Sequence, residues 1–273
     1  VTLQADDDII VESGVVVNFL NTVDVLFEAG RDILMETGSA LIASDDLSTI
    51  EFRSGFQAGL PFGPGGRVQL QDVLFNDVSV LANGNEETQL FGDIGRAGSP
   101  TTLSIQSPNI TLKTGSQVNV LGSDATVLLE ATVANLIVES GAQLNAPTGS
   151  LTLAAPGDVS ISGSVNSAGT VNILGDEFIL LPGASIQSTQ GLLNLSLADI
   201  LLLGGELNFP TINTAGTDNI TILGTINLGV NGASNSFVLN ADQVVSLGAG
   251  SRLQIRGTDA SLSMGVNDRI ELG

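Results

Sequence analysis

A short phrase recurs along the chain and restricts its fold more than any other feature. A polar residue is followed by Ile or Val, any residue, an aliphatic and, soon after, a glycine. It reads Asp8-Ile-Ile-Val-Glu-Ser-Gly14, Asp32-Ile-Leu-Met-Glu-Thr-Gly38 and Asp77-Val-Ser-Val-Leu-Ala-Asn-Gly84. It returns as Asn109-Ile-Thr-Leu-Lys-Thr-Gly115 and Asn135-Leu-Ile-Val-Glu-Ser-Gly141, then from Asp158, Glu177, Asp199, Thr225, Gln243 and Arg269. A twelfth copy is read at Thr49 to Gly55. Self-similarity at a near-fixed period is the signature of a repeat architecture.

Each phrase sits in a larger unit. A strand-like run precedes it (Thr102-Leu-Ser-Ile, Thr126-Val-Leu-Leu, Ser150-Leu-Thr-Leu, Phe237-Val-Leu). A third run follows it (Gln117-Val-Asn-Val, Gln143-Leu-Asn-Ala, Ser164-Val-Asn-Ser, Ser185-Ile-Gln-Ser). From Leu103 to Leu262 the first run recurs seven times over 159 residues. The runs alternate apolar and polar, the period of a half-buried strand, and Gly, Asn, Asp and Ser fall between them. Three short strands per unit of roughly 20–25 residues, stacked on similar units, predict an all-β fold: a single-stranded parallel β-helix, or β-solenoid. The whole chain, 1–273, reads as one continuous solenoid of about 11–12 rungs. At about 4.8 Å per rung the rod is about 55 Å long.

Composition narrows the chemistry. Histidine, cysteine, tryptophan and tyrosine are absent, so no imidazole base, thiolate nucleophile, disulfide or His/Cys metal site is available. The 29 acids outnumber the 8 cations for a net charge of −21, which disfavours nucleic acid as a partner. No stretch approaches the roughly 18 apolar residues of a membrane helix, so no membrane insertion is expected.

Two columns follow from the repeat. In the third run Val118, Leu144, Val165, Ile186, Leu207 and Leu253 occupy equivalent places, each followed by an amide: Asn119, Asn145, Asn166, Gln187, Asn208 and Gln254. Side chains alternate faces along a strand, so inward aliphatics imply an outward amide ladder. The phrase-opening position is acidic at Asp158, Glu177 and Asp199, on consecutive rungs. Stacked carboxylates repel, and a Ca²⁺ ion held by the three would relieve them. Asp6, Asp7 and Asp8 form a second acidic run, and a plain solvated edge is the simpler reading of both.

Units such as Gly149 to Gly169 (GSLTLAAPGDVSISGSVNSAG) and Val1 to Asn18 (VTLQADDDIIVESGVVVN) resemble the rod repeats of filamentous-haemagglutinin-like exoproteins. Those are large right-handed β-helix adhesins of bacterial two-partner secretion. The resemblance covers most of the chain and implies a right-handed, secreted, cell-surface shaft without reacting residues. The family's secretion domain is rich in Asn-Pro, and this sequence has no Asn-Pro pair.

Residues 45–101 break the rhythm with Gly- and Pro-rich stretches and five of the ten phenylalanines: Phe52, Phe56, Phe62, Phe75 and Phe91. Loops on a regular scaffold often carry function, and a lateral contact with another subunit through Phe56, Phe62 and Phe91 is one reading; Phe-bearing loops that plug the side of the rod or cap an end are the other. The Asn-x-Ser/Thr triplets at Asn109, Asn194 and Asn219 fall in predicted strands and read as structural. The opening Val1-Thr-Leu-Gln reads as a core strand, and Arg269 to Gly273 stop partway through a rung. These ends fit head-to-tail strand addition to further copies, or a piece of a longer rod. The expected function is an extracellular, non-enzymatic subunit of a cell-surface filament or adhesin shaft. A module binding surface polysaccharide or a host cell comes second. A polysaccharide-active enzyme comes third, because the arginines are scattered and sugar-stacking Trp and Tyr are lacking.

Overall fold

The computed structural model describes every residue except 22–23, 45–47, 56–65, 83–85, 96–101, 123–124, 189, 203, 229–235 and 256–259, and the side chains of 201, 202 and 228. The described residues form 32 strands and no helix. Rung by rung the pairing is parallel, in a 21-stranded and an 11-stranded sheet, and in register apart from a shift between Thr217 and Asn219. The chain is a parallel β-solenoid with three strands per rung. The larger sheet holds two stacks, the first and second strand of each turn, and the smaller sheet holds the third.

One rung shows how the sequence dictates this. Thr126–Ala131, Leu136–Val138 and Gln143–Ala146 alternate outward and buried positions. Their inward residues Val127, Leu129, Leu136, Val138 and Leu144 are all at most 1% exposed. Each lies in register above and below another aliphatic: Leu103, Val127 and Leu151 in the first stack, Ile110, Leu136 and Val159 in the second, Val118, Leu144 and Val165 in the third. A run that alternates with period two therefore buries one face against the rung interior and another against its neighbours.

The three corners need different residues. Where the first strand turns into the second, the inward position is small: Ala29, Ser54, Ala82, Ser107 and Ala131 are all buried. Where the second turns into the third, a four-residue turn closes. The Ser39 N–H donates to the Glu36 carbonyl at 3.0 Å, with Gly38 between them at φ +77°. A positive φ at the third turn position is what a type II turn requires, and it recurs at Gly14, Gly115, Gly141, Gly183 and Gly250. This is the glycine of the sequence phrase. Where the third strand returns to the first, Gly149 lies so close to the rung below that a Cβ would run into the Ala125 carbonyl.

Three phrase assignments are corrected by the register. Asp77–Ala82 pairs with Thr49–Ser54 and Thr102–Ser107, so the copies read at Asp77 and Thr49 are first strands rather than second ones. Thr225–Leu228 pairs with Glu206–Phe209 and is a third strand. The second strand of that rung is Asn219 to Ile222. All three mimic the phrase because every strand of the rung alternates in the same way.

The broken rhythm of 45–101 does not break the solenoid. Thr49–Ser54, Val68–Leu70, Asp72–Leu74, Asp77–Ala82 and Glu87–Leu90 continue the stacks. Phe52 and Phe75 are fully buried core residues, not loop residues. The Phe52 ring lies 5.4 Å from Phe27, and the Phe75 ring makes an edge contact with Phe19 at 5.6 Å. Phe19 and Phe75 flank Ala43 in the same inward column, so two rings fill the space that the alanine leaves.

Candidate functional site

The polar side chains of this rod act mainly between rungs. The column that opens the second strand runs in register through Asp8, Asp32, Arg67, Glu87, Asn109, Asn135, Asp158, Glu177, Asp199 and Asn219. Five of its Asp and Asn side chains, Asp8, Asp32, Asn109, Asn135 and Asp199, bond the backbone of the following rung. Asp8 Oδ1 accepts the Asp32 N–H at 3.2 Å, and Asp32 Oδ1 accepts those of Gly66 and Arg67 at 3.1 and 3.0 Å. Asn109 accepts from Asn135 at 3.2 Å, and Asn135 from Asp158 at 2.9 Å. Asp199 Oδ1 takes both the backbone N–H of Asn219 at 2.9 Å and its amide at 3.0 Å. These are the N–H groups where the chain leaves a corner and no strand partner is aligned, so a short Asx side chain satisfies what the ladder misses.

Asp158, Glu177 and Asp199 do stand on consecutive rungs, with Glu177 paired to Asp199. Among the described residues no group of three or more acids is placed to hold a metal ion. Asp199 Oδ1 accepts from Asn219 instead. Glu177 is one methylene longer than the Asx side chains, and the ladder lapses at its rung. Burial, and then the neighbouring Asp158, Asp199 and Asp176, push its carboxyl above the usual range. Asp8, from the second acidic run, is paired with Arg31 through Nε at 2.7 Å and through the second guanidinium nitrogen, which holds it below the usual carboxylate range.

The outward amides fall into one register column on the smaller sheet: Asn119, Asn145, Asn166, Gln187, Asn208 and Gln254. Asn227 completes it between Asn208 and Gln254. Sequence reading missed Asn227 because its strand had been given to the second stack. Asn145 donates its amide to Asn119 at 3.0 Å, and Asn227 bonds Glu206 of the rung before. A second, shorter amide ladder lies on the larger sheet, where Asn194 donates to Asn172 at 2.9 Å with Asn213 next in register. The three glycosylation-type asparagines are thus members of ladders: Asn109 bonds Asn135, Asn194 bonds Asn172 and Asn219 bonds Asp199.

Of the expected lateral contacts, Phe91 is half-buried beside Gly92, while Phe56 and Phe62 lie outside the described residues. The cations serve between rungs as well. Arg53 sits on Glu51 at 2.7 Å and near Glu28 at 3.7 Å, and Arg67 bridges Asp32 at 3.5 Å and Glu86 at 3.3 Å. Lys113 bonds Glu139 at 2.8 Å and holds that carboxyl below the usual range, while the same carboxylate accepts the Thr114 N–H at 2.9 Å. No family model, characterised protein or solved structure matches this chain.

Proposed function

We propose that this chain is a non-enzymatic, extracellular structural protein: a β-solenoid that stacks end to end by strand addition into a cell-surface filament or adhesin shaft. The haemagglutinin-like resemblance of its repeats fits this role. The observation that carries the reading is the use made of polar side chains. The Asx column, the amide ladders and the Arg–carboxylate pairs join one rung to the next, which is the chemistry of a load-bearing rod. Leu3 and Val16 in the first rung, and Leu262, Ile270 and Leu272 in the last, are 40–77% exposed on strands with one unpaired edge. A further rung, from another copy or from more of the same chain, covers such an edge.

Electron microscopy of the purified protein at low and moderate salt tests this. Screening the charge of −21 should favour filaments, with an axial repeat near that of eleven or twelve rungs, about 55 Å. Short, monodisperse rods under every condition would remove end-to-end stacking from the proposal.

A further inference from the structure

The first and last rungs of residues 1–273 match each other in a way that neighbouring rungs need not. In the first, Leu3, Ile9 and Val11 stand in register with the buried Phe27, Ile33 and Met35, so they face inward. In the last, Leu262, Met264 and Ile270 stand in register with the buried Phe237, Leu239 and Val245. Ile9 follows Leu3 by six residues, and Ile270 follows Met264 by six. Elsewhere this interval varies, with five from Ile105 to Ile110 and seven from Leu129 to Leu136. The corner between first and second strand is thus the same length on the two rungs. Both strands of one can lie on both strands of the other without a bulge.

We infer that the last rung of one copy receives the first rung of the next in a single register: Val1 on Leu262, Ile9 on Ile270, and Asp8 on Arg269. This rests on the end-to-end reading above and adds to it the register and the polar contact. One offset of 261 residues serves both strands. A shift by one residue sets outward side chains over inward ones throughout. A shift by two in one direction puts Asp8 on Glu271 and Ala5 on Asp268, and in the other it puts Ile9 on Asp268. Only the stated register stacks each inward aliphatic on another and gives Arg269, the one cation of the last rung, an acid. The column that opens the second strand already holds such a neighbour pair, Arg67 with Asp32 at 3.5 Å. Arg269 keeps 59% of its side chain exposed beside Asp268 and Glu271, which leaves it room to reach along the axis. The like-charged neighbours of the joint are Asp7 and Asp268, so salt strengthens it. The contact is heterologous and open-ended. In a filament of residues 1–273 two strands of each rung carry it, because the third stack has no member between Arg252–Ile255 of one copy and Val16–Phe19 of the next. The joint is therefore weaker than the contact between two rungs of one chain.

The absence of cysteine makes a clean test, because each introduced thiol is the only one. Thr2→Cys and Ser263→Cys put thiols at outward positions that face each other across the joint. Gln4→Cys lies two residues further on, about 6.6 Å along the strand, which takes it out of disulfide reach of Ser263→Cys. Single variants are mixed in pairs at equal concentration with oxidised glutathione, beside electron microscopy of the unaltered protein. Expected is disulfide heterodimer from Thr2→Cys with Ser263→Cys at least tenfold faster than from Gln4→Cys with Ser263→Cys. Filaments together with equal rates for the two pairs, or a faster Gln4→Cys pair, would overturn the register and leave end-to-end stacking in place. Neither filaments nor heterodimer would overturn both. As a second readout in the matched pair at low salt, Asp268→Asn should speed joining and Arg269→Gln should slow it. Asp176→Asn, the same change of charge at mid-rod, should leave the rate as it was. Equal acceleration by the two Asp variants would trace the rate to net charge and overturn the contact of Arg269 with Asp8.

Discussion

The first four rungs and the later ones solve the same stacking problem with different chemistry. Up to about residue 95, ion pairs join the rungs beside the Asx–backbone bonds of Asp8 and Asp32: Arg31 to Asp8, Arg53 to Glu28, Arg67 to Asp32. Beyond Asn109 the bridges are side-chain amides and Asx–backbone bonds, with Lys113–Glu139 the last cation pair before Arg252. Their interiors differ in parallel. The early rungs pair rings, Phe27 with Phe52 and Phe19 with Phe75, while most of the later ones stack aliphatics of similar size. A neutral ladder repeats indefinitely at one spacing, because each amide is both donor and acceptor. An ion-pair ladder needs alternating signs, and with 8 cations against 29 acids the chain can sustain it for only a few turns.

The largest effect that separates the two regions should come from the ring pair. Phe52→Ala is expected to cost about 3–5 kcal/mol. In a solenoid, where each rung contacts only its neighbours, the loss should be local. Native-state hydrogen exchange should show weakened protection in Asp24–Ala29, Thr49–Ser54 and Asp77–Ala82, with Val171–Leu180 unchanged. Uniform loss along the rod would make the division one of chemistry only, not of energy.

Asp199→Ala should come next, at about 1–3 kcal/mol, because it leaves the half-buried Asn219 N–H without its acceptor. Asp199→Asn keeps an acceptor and should recover most of that loss in thermal melts. If both variants melt alike, charge rather than the bond to Asn219 is what Asp199 contributes.

Acidification should move the two regions in opposite directions. The Asp8 carboxyl lies below its ordinary value, so its pairing with Arg31 stabilises at neutral pH and is lost as pH falls from the unfolded Asp value toward the lower folded one. The pair is partly exposed, so the change is small. Glu177 lies above its ordinary value, so its ionisation destabilises the fold, and stability rises as pH falls from its folded value to its unfolded one. Glu177→Gln should therefore stabilise at pH 7 and lose that advantage below the ordinary glutamate range. Parallel pH dependence of protection around both residues would refute this contrast.

The smallest effect is expected for Asn145→Ala, about 0.2–1 kcal/mol from one half-exposed ladder contact, and insensitive to salt. Arg53→Met should cost a similar amount at low salt, and less as salt is raised.

The fold was legible in the sequence because a period-two run that recurs with a glycine behind it leaves few alternatives. Val118, Leu144 and Val165 could be aligned by eye, and they do stack. The role of the polar columns was less legible. Asp158, Glu177 and Asp199 were aligned correctly, but a carboxylate aimed at a backbone N–H some twenty residues away leaves no mark in the sequence, and a run of acids reads as a metal site. Asn227 was missed, and Asp77 misplaced, for a shared reason: all three strands of a rung use one alphabet, so only pairing register tells them apart. Phe52 and Phe75 read as part of the irregular stretch around them, because rings between glycine-rich segments look like loop residues until the register shows what they stack on: Phe27 for one, and the gap left by Ala43 for the other.

The Asx column has a consequence for how such a rod can change length over generations. A side chain that bonds its neighbour's backbone is indifferent to which residue that neighbour is. Asn109 would satisfy the N–H of Asp158 as well as that of Asn135. Copying errors that drop or duplicate one whole turn therefore restore an intact joint on the first attempt. Length becomes a heritable quantity that drifts in whole-turn steps, while the joint between turns stays the same.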